Sequence, residues 1–154
     1  DIEVRAGFAP DYLLIANQPS DFGPRWAAIA RNRSPYTFSH LALTLEHSRL
    51  VQFPLGERGA TEFSDRSRLN YSRDSAFIAV CLALHLGARK IGLLGVDFAG
   101  AHELRAELPT IEEHYLRLGR WCARHGVELV NFSPQSSLSV VRRGRISELK
   151  ERRS

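Results

Sequence analysis

Small and polar residues follow the apolar segments of this chain, at points where a ligand could be held. Short, continuous apolar runs are typical of parallel strands, and parallel sheets bind ligands outside the carboxyl ends of their strands. By this rule the predicted ligand-binding positions are Asn17, Gly95, Asp97, Ser133 and Ser136. Each of them also has a structural interpretation, as a turn residue or as a partner of backbone groups.

The start of a strongly apolar helix predicts a further anion-binding position. Ser75 and Ala76 open a segment that is apolar at almost every position up to Leu86. The free N–H groups and the dipole at a helix N-terminus favour a phosphate. Ser75 is equally well explained as an N-cap residue beside Asp74.

His102 is the histidine best placed for acid–base chemistry. It follows Asp97 in the same loop, where an imidazole can reach a bound ligand and act as a general base. We expect structural roles for His85 and His125 and an exposed position for His114. The sequence contains no Walker-A loop and no GxSxG, HExxH or GxGxxG motif.

The order of apolar segments predicts the elements that must position these residues. Strands are expected at 12–16, 36–38, 50–53, 90–94 and 127–132, the first and fourth of them buried on both faces. Helices are expected from Pro24 to Ala30, from Ala76 to Leu86, and from a capping box at Thr110–Glu113 to Gly126. Residues 56–69 are expected to form a loop. This alternation predicts an α/β class, a Rossmann-like three-layer domain with a mostly parallel sheet and helices on both faces.

Composition limits the classes of protein that need to be considered. The chain has 154 residues, of which 44% are hydrophobic and 25% charged, as in a globular protein of one domain. It has no apolar run long enough for a membrane helix and no secretory signal. Cys81 and Cys122 lie in apolar helical patterns, which predicts buried thiols in a cytoplasmic protein.

The net charge of +4 is concentrated near the C-terminus. We expect residues 142–154 to be a solvated basic tail behind a domain formed by residues 1–141. A nucleic-acid binder that uses this tail is an alternative, but the nearly neutral body of the chain argues against nucleic acid as a partner.

Several segments resemble bacterial sialyltransferases of the Campylobacter type and, equally, 6-hydroxymethylpterin diphosphokinases. Ser75 and Gly87 are spaced as the family's helix-start Ser or Thr and its following glycine, and Gly95–Asp97 matches a Gly-hydrophobic-Asp at a strand end. Gly7–Tyr12 is similar to the family's G-x-x-P-D-Y sequence, and Ser133–Ser136 to its Ser-Pro-x-Ser turn. The match extends from about Gly7 to Leu138.

This resemblance implies a glycosyltransferase that uses a nucleotide-activated sugar, most simply a CMP-sugar, and a glycan or small-molecule acceptor. Nucleotide contacts are implied for Asn17, Ser75 and Gly95, with Asp97 shaping the pocket and His102 as the base. No metal is required for this chemistry. The family's glycine after the helix-start Ser is Ala76 here, and its glycine-rich first turn is expected to precede Asp1.

Two alternatives remain open. One is an ATP- and Mg²⁺-dependent pyrophosphoryl transferase on a pterin-like substrate. The other is a non-catalytic nucleotide-binding or assembly module, which Ala76 and the missing first turn favour. Under any of these interpretations a missing strand would leave unpaired backbone at the sheet edge, so a homo-oligomer or a partner chain is also expected.

Overall fold

The computed structural model describes residues 10–98 and 106–148 of a chain that divides into two compact units, 1–55 and 56–154. Both units combine helices with short strands, so the α/β class predicted from the sequence is confirmed. The strands lie in small separate sheets of two or three strands each. Among the described residues, no helix has the length and apolar character needed to cross a bilayer.

The first unit contains a parallel three-stranded sheet. Its strands are β1 (Tyr12–Ile15), β2 (Tyr36–Ser39) and β3 (Arg49–Gln52), with β2 in the middle. Between β1 and β2 lie α1 (Pro19–Phe22), a 3-10 turn (Gly23–Arg25) and α2 (Trp26–Ala30). The helix predicted from Pro24 therefore begins later, at Trp26.

The expectation that β1 is buried on both faces is wrong. Tyr12 is 51% exposed, and Ile15 is the β1 residue that is buried. Tyr12 instead packs its ring against Tyr36 and Phe38 of β2. Contact with aromatic rings on the neighbouring strand thus explains why Tyr12 is apolar at a position that is not in the core.

The second unit begins with a strand where a loop was predicted. β4 (Leu55–Arg58) and β5 (Leu69–Tyr71) form a two-stranded sheet, so the predicted loop at 56–69 is wrong over its first residues. The Asn70 side chain accepts a hydrogen bond from the Glu57 N–H at 3.2 Å. A Cβ on Gly56 would come within 2.5 Å of the Asn70 Oδ1, so glycine is needed at this position.

The predicted apolar helix is confirmed as α3 (Ser75–His85), with Asp74 as its N-cap. At its C-terminus Gly87 has a φ of +87°, and the Ala88 N–H donates to the Ala83 carbonyl at 2.9 Å. This arrangement is a Schellman motif, which requires a left-handed residue. The motif turns the chain directly into β6 (Lys90–Leu93). β6 is also not buried on both faces, because Lys90 and Gly92 are exposed.

The helix predicted after residue 109 is confirmed, but its capping box at Thr110 is wrong. α4 (Leu108–Arg124) begins before Thr110, with Glu107 at the N-cap position and Pro109 in the first turn. Thr110 therefore lies inside the helix, where it cannot serve as the N-cap, and Glu113, the glutamate of the predicted box, instead forms an ion pair with Arg117 at 3.3 Å. The neighbouring Glu112 carboxylate accepts hydrogen bonds from the Ser139 N–H and hydroxyl at 2.9 and 2.7 Å.

The last strand is β7 (Glu128–Asn131), which pairs with β6 in parallel register. The main core of the unit lies between these strands and the helices. Its buried members are Phe77, Val80, Cys81, Leu93, Ile111, Tyr115, Leu118, Cys122, Val127, Leu129, Leu138 and Val141. Both cysteines are buried free thiols, as predicted, and burial raises the pKa of Cys122 to about 11.

Residues 142–144 form backbone hydrogen bonds with β7, although the sequence predicts that they are solvated. The Asn131 N–H donates to the Arg142 carbonyl at 2.8 Å, and the Gly144 N–H donates to the Asn131 carbonyl at 3.0 Å. The Phe132 ring lies so close to Gly92 and Gly144 that a Cβ would come within 2.9 and 2.6 Å of it. The tail's other basic residues Lys150, Arg152 and Arg153 lie outside the described residues.

Candidate ligand-binding edge of the second unit

The turns that follow β6 and β7 are joined to each other by hydrogen bonds. The Val96 N–H donates to the Ser133 Oγ at 3.0 Å, and the Ser136 Oγ donates to the Val96 carbonyl at 2.6 Å. The Ser137 N–H donates to the Asp97 carbonyl at 2.6 Å. The structure therefore brings together the predicted positions at 95–97 and 133–136, at the carboxyl ends of two parallel strands.

Asn131 lies at the centre of this network. Its Nδ2 donates to the Ser136 Oγ at 2.9 Å and its Oδ1 accepts from the Ser133 N–H at 2.9 Å. The Ser136 Oγ also accepts from the Leu138 N–H at 3.1 Å. Asn131, Ser133 and Ser136 are all buried. The signal for Asn131 was available in the sequence, as an amide at the end of an apolar strand, but it was not singled out there.

The hydroxyl of Ser136 has no capacity left for a ligand. A serine hydroxyl has one donor and two acceptor sites, and here the donor serves Val96 while the acceptors serve Asn131 and Leu138. Ser133 likewise uses its hydroxyl to accept from a backbone N–H. These serines position the turns, so a ligand at this edge would meet the exposed groups around them.

Of the predicted positions at this edge, Gly95 and Asp97 are exposed. Gly95 has a φ of +71°, and a Cβ placed on it would meet nothing within 4 Å. The Asp97 side chain is exposed and makes no hydrogen bond or ion pair with any residue in the described part of the chain. Phe98, which follows it, also has a positive φ, +56°. A backbone open to close approach therefore lies beside a free carboxylate.

The N-terminus of α3 is already occupied by a carboxylate of the chain itself. The Asp74 Oδ1 accepts hydrogen bonds from the Phe77 N–H and the Tyr115 hydroxyl, both at 2.9 Å. Burial raises the pKa of Asp74, and these two hydrogen bonds oppose the rise. Of the predicted phosphate contacts, the Ser75 side chain is exposed and Ala76 is half-buried. The Phe77 N–H is not free to bind a phosphate.

His114 is buried, so the expectation that it is exposed on its helix is wrong. It is 4% exposed, and its Nδ1 lies 2.9 Å from the Ser72 Oγ. Burial lowers the pKa of the imidazole, with smaller effects from Arg117 and Arg58. The helix has its apolar face at Ile111, Tyr115 and Leu118, and His114 lies beside that face. Because Ser72 is also buried, the pair has no access to a substrate.

Two predicted site residues remain, His102 and Asn17. His102 lies outside the described residues. Asn17 is exposed and follows β1, in the first unit, which is described by itself. Within residues 10–98 and 106–148, no group of three or more histidine, cysteine, aspartate or glutamate side chains is arranged to hold a metal ion.

Comparison with known proteins finds no match for this chain. No protein-family profile, curated protein sequence or solved structure matches it. The resemblance to sialyltransferases and pterin diphosphokinases therefore depends on the sequence motifs alone.

Proposed function

We propose that the chain has a Rossmann-like arrangement and binds a nucleotide at the edge formed by the turns after β6 and β7. The activity we propose is transfer of a sugar from a nucleotide-activated donor, a CMP-sugar first. The main support is the joined pair of turns, in which internal hydrogen bonds fix the backbone while Gly95 and Asp97 stay accessible. A glycine that permits close approach and a carboxylate that accepts from ribose hydroxyls are typical of nucleotide sites in parallel sheets.

Each exposed residue has a role in this proposal. Gly95 allows the nucleotide to approach the backbone, Asp97 accepts hydrogen bonds from the ribose, and the Ser75 hydroxyl donates to the phosphate.

His102 is the proposed general base of the transfer. The imidazole takes the proton of the acceptor hydroxyl while that oxygen forms a bond to the anomeric carbon of the sugar. The bond from this carbon to the phosphate oxygen breaks, and CMP leaves with the electron pair. Ser75 stabilises the charge that develops on the departing phosphate.

A non-catalytic nucleotide-binding module is the second candidate. Two observations favour it: the Ser136 hydroxyl has all its hydrogen-bonding sites occupied, and the Asp74 carboxylate already binds the start of α3. Few polar groups are therefore left to stabilise a transition state. The two candidates share the nucleotide and differ in turnover. An ATP- and Mg²⁺-dependent pyrophosphoryl transferase is distinguished from both by its metal requirement.

The proposal is tested by calorimetric titration with CMP, and separately with ATP plus Mg²⁺. We expect CMP to bind without metal and Asp97→Asn to weaken binding by roughly tenfold, since hydrogen bonds to a charged group contribute about 1.5–3 kcal/mol. Ser75→Ala should weaken it less. Ser147→Ala, which removes an exposed hydroxyl elsewhere in the same unit, serves as the matched control and should bind as wild type.

The outcomes separate the candidates. CMP binding with release of CMP from a CMP-sugar in the presence of acceptors supports the transferase, and CMP binding without turnover supports the module. Binding of ATP only with Mg²⁺ moves the assignment to pyrophosphoryl transfer. If neither nucleotide binds, or if Asp97→Asn binds CMP as wild type does, the nucleotide site is wrong.

A further inference from the structure

A second concave region of the same unit lies away from the β6–β7 turns. A cavity of about 560 Å³ opens between the C-terminal ends of α3 and α4 and the segment 62–66. This is the end at which the two strands begin, because Arg89, just before β6, donates to the His125 carbonyl at 3.0 Å. Pockets for small molecules in proteins occupy roughly 300–1,000 Å³. The cavity is therefore large enough for a ligand of its own.

Aromatic rings form one wall of the cavity. The Trp121 ring stacks on His125 with centroids 3.9 Å apart and planes 15° apart, and Phe63 meets Trp121 edge-on at 4.6 Å. Phe63 also meets His85 edge-on at 5.8 Å. Phe63 and Trp121 pack against the main core, which holds their rings in place. A planar ring fits such a wall by stacking or by edge-to-face contact.

The cavity also carries cationic groups that the fold does not use. Arg66 and Arg124 line it, and neither has a hydrogen bond or an ion pair with another residue in the described ranges. Some other exposed arginines of the unit are paired, Arg68 with Asp65 and Arg142 with Glu128, while Arg120 has no partner among the described residues. Glu62, the acidic residue of the lining, accepts a hydrogen bond from the Ser64 N–H at 2.8 Å. The lining therefore contains two guanidinium groups without a partner among the described residues and one carboxylate, which already accepts a hydrogen bond.

We propose that this cavity binds a small aromatic anion, a molecule whose planar ring carries a phosphate or a carboxylate. The ring packs on Trp121 and Phe63, and the anionic group is bound by the guanidinium groups of Arg66 and Arg124. Guanidinium groups bind both phosphate and carboxylate in bidentate geometry, so the chemistry shared by the two anions is the recognised feature. This site is independent of the nucleotide site proposed above.

The test uses phenyl phosphate and benzoate as probes, with phenol as the uncharged ring and inorganic phosphate as the charge without a ring. Trp26→Phe leaves Trp121 as the sole tryptophan, because the chain has 2. We expect phenyl phosphate or benzoate to change Trp121 fluorescence and to bind more tightly than phenol or inorganic phosphate. The better of the two charged probes identifies the anion.

Variants connect the signal to the arginines. Arg66→Gln and Arg124→Gln should each weaken the better probe by roughly tenfold, as expected for loss of a charge-assisted hydrogen bond. Arg120→Gln is the matched control: Arg120 lies on the same helix as Arg124, is exposed and does not line this cavity. The three side chains are exposed, so the variants should unfold at the same denaturant concentration as the parent.

Three results would overturn the proposal. The first is no fluorescence change up to the solubility limit of either charged probe. The second is binding of phenol or inorganic phosphate as tightly as the charged ring. The third is an equal loss of affinity in Arg120→Gln and Arg124→Gln, which would indicate a general effect of net charge.

Discussion

At the scale of single residues, the second unit uses glycine to make room for buried polar groups. The His114 ring lies where a side chain at position 59 would be, since a Cβ on Gly59 would come within 2.2 Å of the His114 Cδ2. Gly59 also has a φ of +68°, in the left-handed region. The buried Ser72–His114 hydrogen bond thus depends on a residue without a side chain at a third position in the sequence.

Gly59→Ala should destabilise the protein by about 2–3 kcal/mol, because it combines a strained φ with a clash against a buried ring. Gly87→Ala is the matched control, since Gly87 has a φ of +87° and open space around it. It should cost only the conformational penalty, about 1–2 kcal/mol. Urea unfolding of both variants measures the difference, and equal losses would show that His114 does not restrict position 59.

Asp74 gives stability a pH dependence of defined sign. Its ordinary pKa of 3.8 is raised in the folded protein, chiefly by burial, and its Oδ2 has no partner among the described residues. The folded state therefore holds the proton more tightly than the unfolded state. The resulting contribution to stability is complete below pH 3.8 and is lost as the pH rises through the raised value.

Asp74→Asn should remove this dependence, because asparagine keeps an N-cap oxygen for the Phe77 N–H and does not ionise. We expect the stability of wild type relative to the variant to fall between acid and neutral pH. Urea unfolding of both proteins across that range measures the trend. Any cost of burying the amide is independent of pH, so parallel curves would contradict the assignment.

At the scale of elements, helix and strand identity could be predicted from periodicity, while several element ends could not. The helix over 75–85 was predicted because its apolar run, its cap and Gly87 all agree. The start of α4 was not, because the helix begins at Leu108 with Pro109 in its first turn, which places Thr110 inside the helix and not at its cap. β4 was missed because pairing with β5, and not its own pattern, makes it a strand.

The start of α4 allows the predicted cap to be compared with an observed long-range contact. Thr110→Ala should leave stability within about 0.5 kcal/mol of wild type, because Thr110 is an exposed residue inside the helix. Glu112→Ala should cost about 1 kcal/mol, since the Ser139 N–H and hydroxyl lose their acceptor. Thermal unfolding measures both losses of stability. A larger loss in Thr110→Ala than in Glu112→Ala would support the predicted cap at Thr110.

The Ser136 hydroxyl forms three of the hydrogen bonds at the joined turns after β6 and β7. Ser136→Ala removes the donor to the Val96 carbonyl and the acceptor for Asn131 and Leu138, all in a buried network. The loss should be about 1–3 kcal/mol. Ser137→Ala, at an exposed neighbouring position, should change stability by less than about 0.5 kcal/mol. Chemical denaturation measures both, and similar values would mean that the network does not hold the turns.

The sequence predicted where the candidate site lies but not which of its polar groups are free to bind a ligand. The rule that ligands bind at the carboxyl ends of parallel strands correctly predicted that residues 95–97 and 133–136 lie close together. It could not indicate that Ser133 and Ser136 are occupied by backbone groups, because that depends on the side chain of Asn131 and on the path of the chain to Leu138. The cavity beside Trp121 was not predicted either, since its residues come from three separate segments.

At the scale of the whole molecule, the core is unevenly distributed. The buried members of the main hydrophobic cluster all lie between Phe77 and Val141, in the second unit. The first unit buries Ile15 and Phe53 as its apolar residues in the described part, together with polar residues such as Asn32 and Thr37. Burial of apolar area is the main source of stability, so we expect the first unit to be less stable than the second.

Hydrogen exchange of backbone amides should therefore show lower protection in β1–β3 than in α3 and α4. Opening of the first unit would precede global unfolding, as expected for regions with fewer buried apolar contacts. Mass spectrometry of exchanged peptides resolves the two regions. Equal protection of both would show that they unfold as one cooperative body.

The packing of Phe132 has a consequence for recognising natural sequences of this kind. Its ring occupies the space of absent side chains at positions 92 and 144, one in β6 and one after β7. These positions are expected to vary together over evolution: an aromatic residue at 132 should accompany glycine at both others, and a larger residue at either should accompany a smaller one at 132. The three positions form a covariation signature that a sequence search can use to distinguish descendants of this domain from chance matches to its apolar strands.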